Sequence, residues 1–196
     1  YPKSAKLYYF KGNFHKLNKA YDAAIFAYQK YLEVEPNDHN IILEMGLIHL
    51  KLENLKTAYL LFIDVLKLEP KNIDAFIYLG IILKKIGEKE QAKKSFFQAL
   101  KLNPESTRAH YNLAVLFHNM GSDKEAIFHF EEVLKFDASH SSAKFRKRSS
   151  VAFFSKYLHS PPSMPTSLPI SISFQALESI ENSIREPLSV FLVSVL

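Results

Sequence analysis

Cysteine is absent from the 196 residues, which excludes a disulfide framework, a thiolate nucleophile and any Cys-based zinc site, and permits a reducing compartment. Glycine is scarce at 5 residues and proline modest at 9, a profile of long helices rather than of many short strands joined by tight turns. No run of about 18 uncharged apolar residues occurs, so no complete membrane span is encoded. Also missing are GxSxG, GxxxxGK[ST] and HExxH, the arrangements that present a nucleophile, cradle a phosphate or bind zinc. Glu131 and Glu132 are adjacent, face different directions on a helix and suit solvation rather than paired acid and base work. The chain itself is expected to be no enzyme and to need no cofactor.

The eight histidines invite a metal hypothesis, but their spacing does not support one. His15 and His49 are separated by the same step that several other residue types keep along the chain, which points to equivalent packing positions. His110 and His118 differ by eight, not by the three or four that bring ligands onto adjacent turns. No metal site is expected.

Hydrophobic residues make up 47% and charged residues 23%, enough apolar surface for a continuous core. The net charge of +5 is unevenly placed. Residues 139–196 hold Lys144, Arg146, Lys147, Arg148, Lys156 and Arg185 against Glu178, Glu181 and Glu186, which leaves the chain before them nearly neutral. Interspersed acids and bases make a solvated surface rather than a phosphate-tracking stripe, so nucleic acid is disfavoured as a partner. Tyr1 rather than Met at the start points to a fragment or trimmed product.

What the sequence does have is a period. Pro36, Pro70 and Pro104 recur at one constant interval, and Gly12, Gly46 and Gly80 recur at the same interval, a series that Ala114 continues. Ala24, Ala58, Ala92 and Ala126 keep the same step, as do Tyr28, Phe62, Phe96 and Phe130, and Leu32, Leu66, Leu100 and Leu134. Within a unit, Ile73, Phe76, Leu79, Gly80 and Leu83 form one helical stripe and Ala92, Phe96, Ala99 and Leu100 another, so each unit holds two helices. Breaks at Leu17-Asn18-Lys19, Leu52-Glu53-Asn54, Ile86-Gly87-Glu88 and Met120-Gly121-Ser122 separate them, where Gly and Asn tolerate a left-handed turn. Small residues at the Gly and Ala registers let two backbones approach, and the following aromatic fills the space between units.

On these residues the chain resembles the tetratricopeptide repeat family over residues 5–138. The resemblance implies an all-α, right-handed superhelical solenoid of four helix-turn-helix units: 5–38, 39–72, 73–106 and 107–140. The family's first aromatic, usually Trp, is Tyr8, Ile42, Phe76 and His110 here, and Ala138 stands where a fourth Pro is expected. The resemblance further implies that the first helices line a concave, partner-binding side. Its rows would be Tyr9, Leu43, Ile77 and Tyr111; Phe10, Glu44, Tyr78 and Asn112; and Asn13, Leu47, Ile81 and Val115. Such a groove is expected to be largely apolar and to hold a peptide or helix of another protein. Many family members grip a chaperone's C-terminal carboxylate with Lys, Asn and Arg. Here the matching positions are Tyr9, Asn13, Glu44, Asp74 and Tyr78, and shifting by one unit recovers only Arg108, so that ligand is disfavoured.

After the repeats, residues 139–158 suggest a capping helix begun by Ser139, with Phe145, Val151, Phe154 and Leu158 as apolar contacts. Residues 159–172, rich in Pro and Ser, read as a linker. Residues 173–196 combine a short amphipathic helix (Phe174, Leu177, Ile180, Ile184) with the apolar run LSVFLVSVL, a poorly ordered tail. Membrane association would require that run to continue or to anchor. The function expected is an intracellular, cytoplasmic protein-interaction scaffold. The alternative is the substrate-recognition arm of a larger enzyme, such as a glycosyltransferase, whose catalytic domain lies elsewhere.

Overall fold

Helix formation starts with local signals that recur once in every repeat. The computed structural model describes residues 2–159, with side chains from 5 to 151. Among the described residues are nine helices and no strand: α1 (Pro2–Leu17), α2 (Tyr21–Leu32), α3 (His39–Lys51), α4 (Leu55–Leu68), α5 (Ile73–Lys85), α6 (Lys89–Leu102), α7 (Thr107–Asn119), α8 (Asp123–Phe136) and α9 (Ser141–His159). Asp38, Asn72 and Ser106, each just past a boundary proline, cap α3, α5 and α7 by accepting backbone N–H groups. Asn72 Oδ1, for example, accepts from Ala75 N at 2.9 Å, satisfying one of the donors a helix start leaves open.

The next position in that series is His140, and its Nδ1 accepts from Ala143 N at 3.2 Å. This corrects the expected Ser139 cap, whose backbone N and hydroxyl both turn back to Asp137. Starting α9 at His140 keeps it in register with α3, α5 and α7. Ala143 and Ser150, both fully buried, occupy the positions of Ala109 and Leu116. The apolar contacts expected of this helix fall elsewhere: Phe145 is 73% and Val151 45% exposed. Phe154 and Leu158 lie outside the described side chains, and the expected tail elements of 160–196 lie outside the described residues.

The turns inside the units differ from expectation in one respect. The left-handed residues are Lys19 (φ 59°), Glu53 (φ 57°), Gly87 (φ 91°) and Gly121 (φ 77°). Asn18 and Asn54 do not adopt that conformation. Asn54 instead caps α4 through Thr57 N, so two of the four turns place a side chain where glycine is preferred.

The helices pack as antiparallel pairs, α1 with α2, α3 with α4, α5 with α6 and α7 with α8, and each pair stacks on the next, with α9 laid against α8. The result is the right-handed helical solenoid of a repeat protein. Close approach within the first three pairs depends on glycine facing an aromatic ring, and Ala114 takes that place in the fourth. A Cβ at Gly80 would lie 2.5 Å from Phe96 Cε1, one at Gly46 would lie 2.7 Å from Phe62 Cε1, and Gly12 meets Tyr28 in the same way. Tyr28, Phe62, Phe96 and Phe130 are all fully buried, as are Ala24, Ala58, Ala92 and Ala126. The core is therefore a row of similar clusters, each joining one second helix to the following first helix, such as Ala58, Phe62 and Val65 with Ala75, Leu79 and Ile82.

Candidate partner-binding groove

The first helices α1, α3, α5 and α7 share one side of the stack, and polar contacts tie neighbours together along it. Lys16 Nζ reaches Glu44 at 3.0 Å, Lys84 Nζ reaches Asn112 Oδ1 at 3.2 Å, and Lys85 pairs with Glu53. The first two contacts use the same pair of repeat positions, two units apart. Between them, Leu50 and Tyr78 pack against the same apolar cluster, so that register alternates a polar contact with an apolar one.

At the centre, Tyr78 stacks on Phe62 with ring centroids 5.2 Å apart and an interplanar angle of 16°. The Arg108 guanidinium sits 4.9 Å from the Tyr78 ring centre and pairs with Asp74. Arg108 is therefore already engaged and does not offer a free fork to a carboxylate. Asn112 donates its amide to the carbonyl of Arg108 at 2.9 Å while accepting from Lys84.

The positions singled out from the sequence separate into three groups. Ile77 is 1% exposed, packed with Ala92, Phe96, Ala109 and Leu113, and Val115 lies under Phe130 and Ala143 at 9% exposure. Both are core, because the outward direction at those positions is covered by the following unit. Leu43, Glu44, Leu47, Tyr78, Ile81, Tyr111 and Asn112 are half-buried, with an outward part. Tyr9 and Phe10 are exposed at 40% and 65%, with Tyr9 leaning on Tyr31 at 6.1 Å, and Asn13 Oδ1 accepts from the Tyr28 hydroxyl at 2.7 Å. Where it forms a groove beside α3, the surface is apolar in larger part, with charged groups set among the apolar side chains. Leu47, Leu50 and Tyr78, with Lys16, Glu44 and Lys51, line a groove of about 510 Å³ beside α3.

A second cleft, about 550 Å³, lies between α7 and α9 and is lined by Tyr111, His118, Ser141, Ser142, Phe145, Arg146 and Ser149. Tyr111 stacks on His140 at 4.9 Å there. Lys84 faces this end of the stack, and its pKa is lowered by burial first and then by the Arg146 and Lys85 charges.

One buried arrangement escaped the sequence reading. His110 Nδ1 lies 2.9 Å from His129 Nδ1, and His110 Nε2 lies 2.9 Å from the Pro104 carbonyl oxygen. That carbonyl only accepts, so His110 Nε2 carries a hydrogen, and a second hydrogen lies between the two Nδ1 atoms. His129 also stacks on Phe117, 5.5 Å away at 5°. His118 Nδ1 lies 3.0 Å from Asp123 Oδ1 and 3.1 Å from Ser150 Oγ, joining α7 to α8 and α9. These are structural contacts, and no cluster of three or more His, Cys, Asp or Glu that could hold a metal ion occurs among the described residues. The signal available in the sequence was a coincidence of register. His110 replaces Tyr8, Ile42 and Phe76, and His129 replaces Ala27, Leu61 and Ser95, in paired helices of one unit.

Two tetratricopeptide repeat models match the sequence, one over residues 77–141 and one over residues 5–38, together about half of the chain. The unit between them carries the same Gly46, Ala58, Phe62 and Pro70 register. The chain belongs to the tetratricopeptide repeat family. No curated protein matches it in sequence. Among solved structures, MamA superposes with a TM-score of 0.65 at 20% identity, covering 84% of this chain and 100% of its own. YrrB, described as a tetratricopeptide repeat protein with an unusual peptide-binding site, gives 0.60 at 24% identity over 74% of each chain. PilF of Pseudomonas aeruginosa gives 0.70 at 18% identity, covering 80% of this chain and 72% of its own. At these identities the likeness establishes the tetratricopeptide fold. Proteins built this way present extended surfaces to other proteins. No helix among the described residues is long and apolar enough to cross a membrane.

Proposed function

We propose that this tetratricopeptide repeat protein is a scaffold that seats a peptide or helix of a partner protein along the groove formed by α3, α5 and α7. The observation that carries this reading is the pairing of half-buried apolar faces at Leu47, Tyr78 and Ile81 with fixed polar groups beside them, Glu44 with Lys16, Asp74 with Arg108, and Asn112 with Lys84. Apolar faces supply affinity on desolvation, and groups already held by neighbours supply direction without further ordering cost. The mixed lining fits a peptide of alternating apolar and polar side chains better than a uniformly apolar one.

The test is a pull-down from cell extract with the wild-type chain and with Leu47→Glu/Tyr78→Glu. Both side chains are partly exposed, so helical content should hold in far-UV circular dichroism. Loss of the captured partners with helicity retained is the expected outcome. Capture of the same partners by the double variant would overturn the assignment.

A further inference from the structure

The side of the stack formed by the first helices changes character beyond α5. Lys84 of α5 is half-buried, and its ammonium meets one neutral acceptor, Asn112 Oδ1. Arg146 of α9, also half-buried, lines the cleft between α7 and α9. Among the described residues no carboxylate forms an ion pair with either side chain. Other cations nearby are already paired, Lys85 with Glu53, Arg108 with Asp74 and Lys147 with Glu131. Asp123, which meets His118 of the cleft lining, is 6% exposed and so presents little charge to the cleft. Burial first, and then the charges of Arg146 and Lys85, lower the Lys84 pKa, the mark of a cation without a counter-charge.

The opening at Arg146 does not come from its lying on the last described helix. Its register is that of Glu44, Tyr78 and Asn112, and each of these keeps an outward part although further helices follow it. A continued stack would leave Arg146 open in the same way.

Two cations on either side of α7 call for a compact anion of matching charge. Lys84 is held by Asn112, which is itself fixed by donating to the Arg108 carbonyl, so the ammonium is already directed. The hydroxyls of Tyr111 and Ser142, which have no partner among the described residues, add neutral donors beside Arg146. A single carboxylate balances one of the two cations, whereas a phosphate monoester carries about −1.5 to −2 charges at neutral pH and has three acceptor oxygens for the guanidinium fork and the ammonium together. We infer that the partner peptide carries a phosphorylated serine or threonine, whose phosphate is held beside α7 by Arg146 and Lys84. This rests on the reading of the first-helix side as a peptide seat, and it fixes where along that seat the peptide stops.

The probes are fluorescein-labelled peptide libraries, degenerate except for a central phosphoserine, serine or glutamate, titrated with the full chain and followed by fluorescence anisotropy. The phosphoserine library should bind about tenfold or more tighter than the serine library, with glutamate close to serine. Arg146→Gln and Lys84→Met should each erase most of that gain. Lys144→Gln/Arg148→Gln removes two exposed charges of α9 that do not line the cleft and should leave the gain in place. Circular dichroism verifies that each variant is folded. Absence of a gain from phosphate, an equal gain from glutamate, or a loss in Lys144→Gln/Arg148→Gln as large as in Arg146→Gln overturns the inference. Leu47→Glu/Tyr78→Glu tells its failure from that of the groove: weaker binding of all three libraries with the phosphate gain intact supports both, and unchanged binding with the gain intact sinks the groove alone.

Discussion

Acidification should loosen the last repeat, and the buried histidine pair fixes both the direction and the size of the effect. His129 is 6% exposed, and its pKa is pushed from 6.5 down to about 4, by burial first and by the neighbouring His110 second, with Glu132 on its own helix opposing. The remaining neighbours of the ring are the aromatic rings of Phe97, Phe117 and Phe128, which provide no counter-charge. Between these two pKa values the unfolded chain binds a proton that the folded chain does not, so stability falls as pH falls through that window. The shift is worth about 3 kcal/mol in full, of which roughly 2 kcal/mol is lost between pH 8 and pH 5. The His49 pKa is also lowered by burial, with Nδ1 unsatisfied, and adds a loss of the same sign.

The assay is urea denaturation of the full chain, followed by far-UV circular dichroism at both pH values, for wild type and His129→Phe. The variant keeps the stack on Phe117 and gives up the hydrogen bond to His110, which costs about 1 kcal/mol at pH 8. Its stability should depend less on pH than that of wild type, by roughly 2 kcal/mol over the same interval. Equal pH dependence in the two proteins would refute the reasoning.

Four further substitutions test the packing, the turns and a helix cap. In Gly80→Ala the new Cβ meets Phe96 at 2.5 Å, about 1 Å inside normal carbon contact; overpacking of about 2–3 kcal/mol against a helix gain of about 1 should leave a net loss of roughly 1–2 kcal/mol in urea denaturation, whereas a variant more stable than wild type would contradict the close approach. Gly121→Ala, at φ 77°, should destabilise by about 1 kcal/mol, while Lys19→Gly, at φ 59° with its side chain exposed, should stabilise by a few tenths; differential scanning calorimetry of both reads the signs. Asn72→Ala removes the cap on Ala75 N and should cost about 1 kcal/mol, with hydrogen exchange rising first in the opening turn of α5.

Much of the fold was legible because each repeat solves the same local problem. The Gly46–Phe62 and Gly80–Phe96 pairs each join two consecutive helices of one unit, and the caps at Asp38, Asn72 and Ser106 act on the next turn of chain. Such short-range relations leave a period in the sequence. The start of α9 was misplaced by one position, since histidine seldom marks a cap and only continuation of the repeat step identifies His140. The candidate groove was less legible. Its positions follow from register, but which side chains stay available depends on what the next unit lays over them. Ile77 lost its surface to α6 and α7, Val115 to α8 and α9, and Arg108 its freedom to Asp74 and Tyr78 one unit earlier.

By itself the sequence determined the repeat, its helix pairs and the absence of cysteine chemistry, because period and propensity are properties of neighbouring residues. The tertiary structure alone decided the contacts between residues whose types give no hint of partnership: His110 against His129, and His118 with Asp123 and Ser150. An identical register carries identical side-chain directions, but which side chains meet is set by how neighbouring helices stack, and that is a fact of three dimensions.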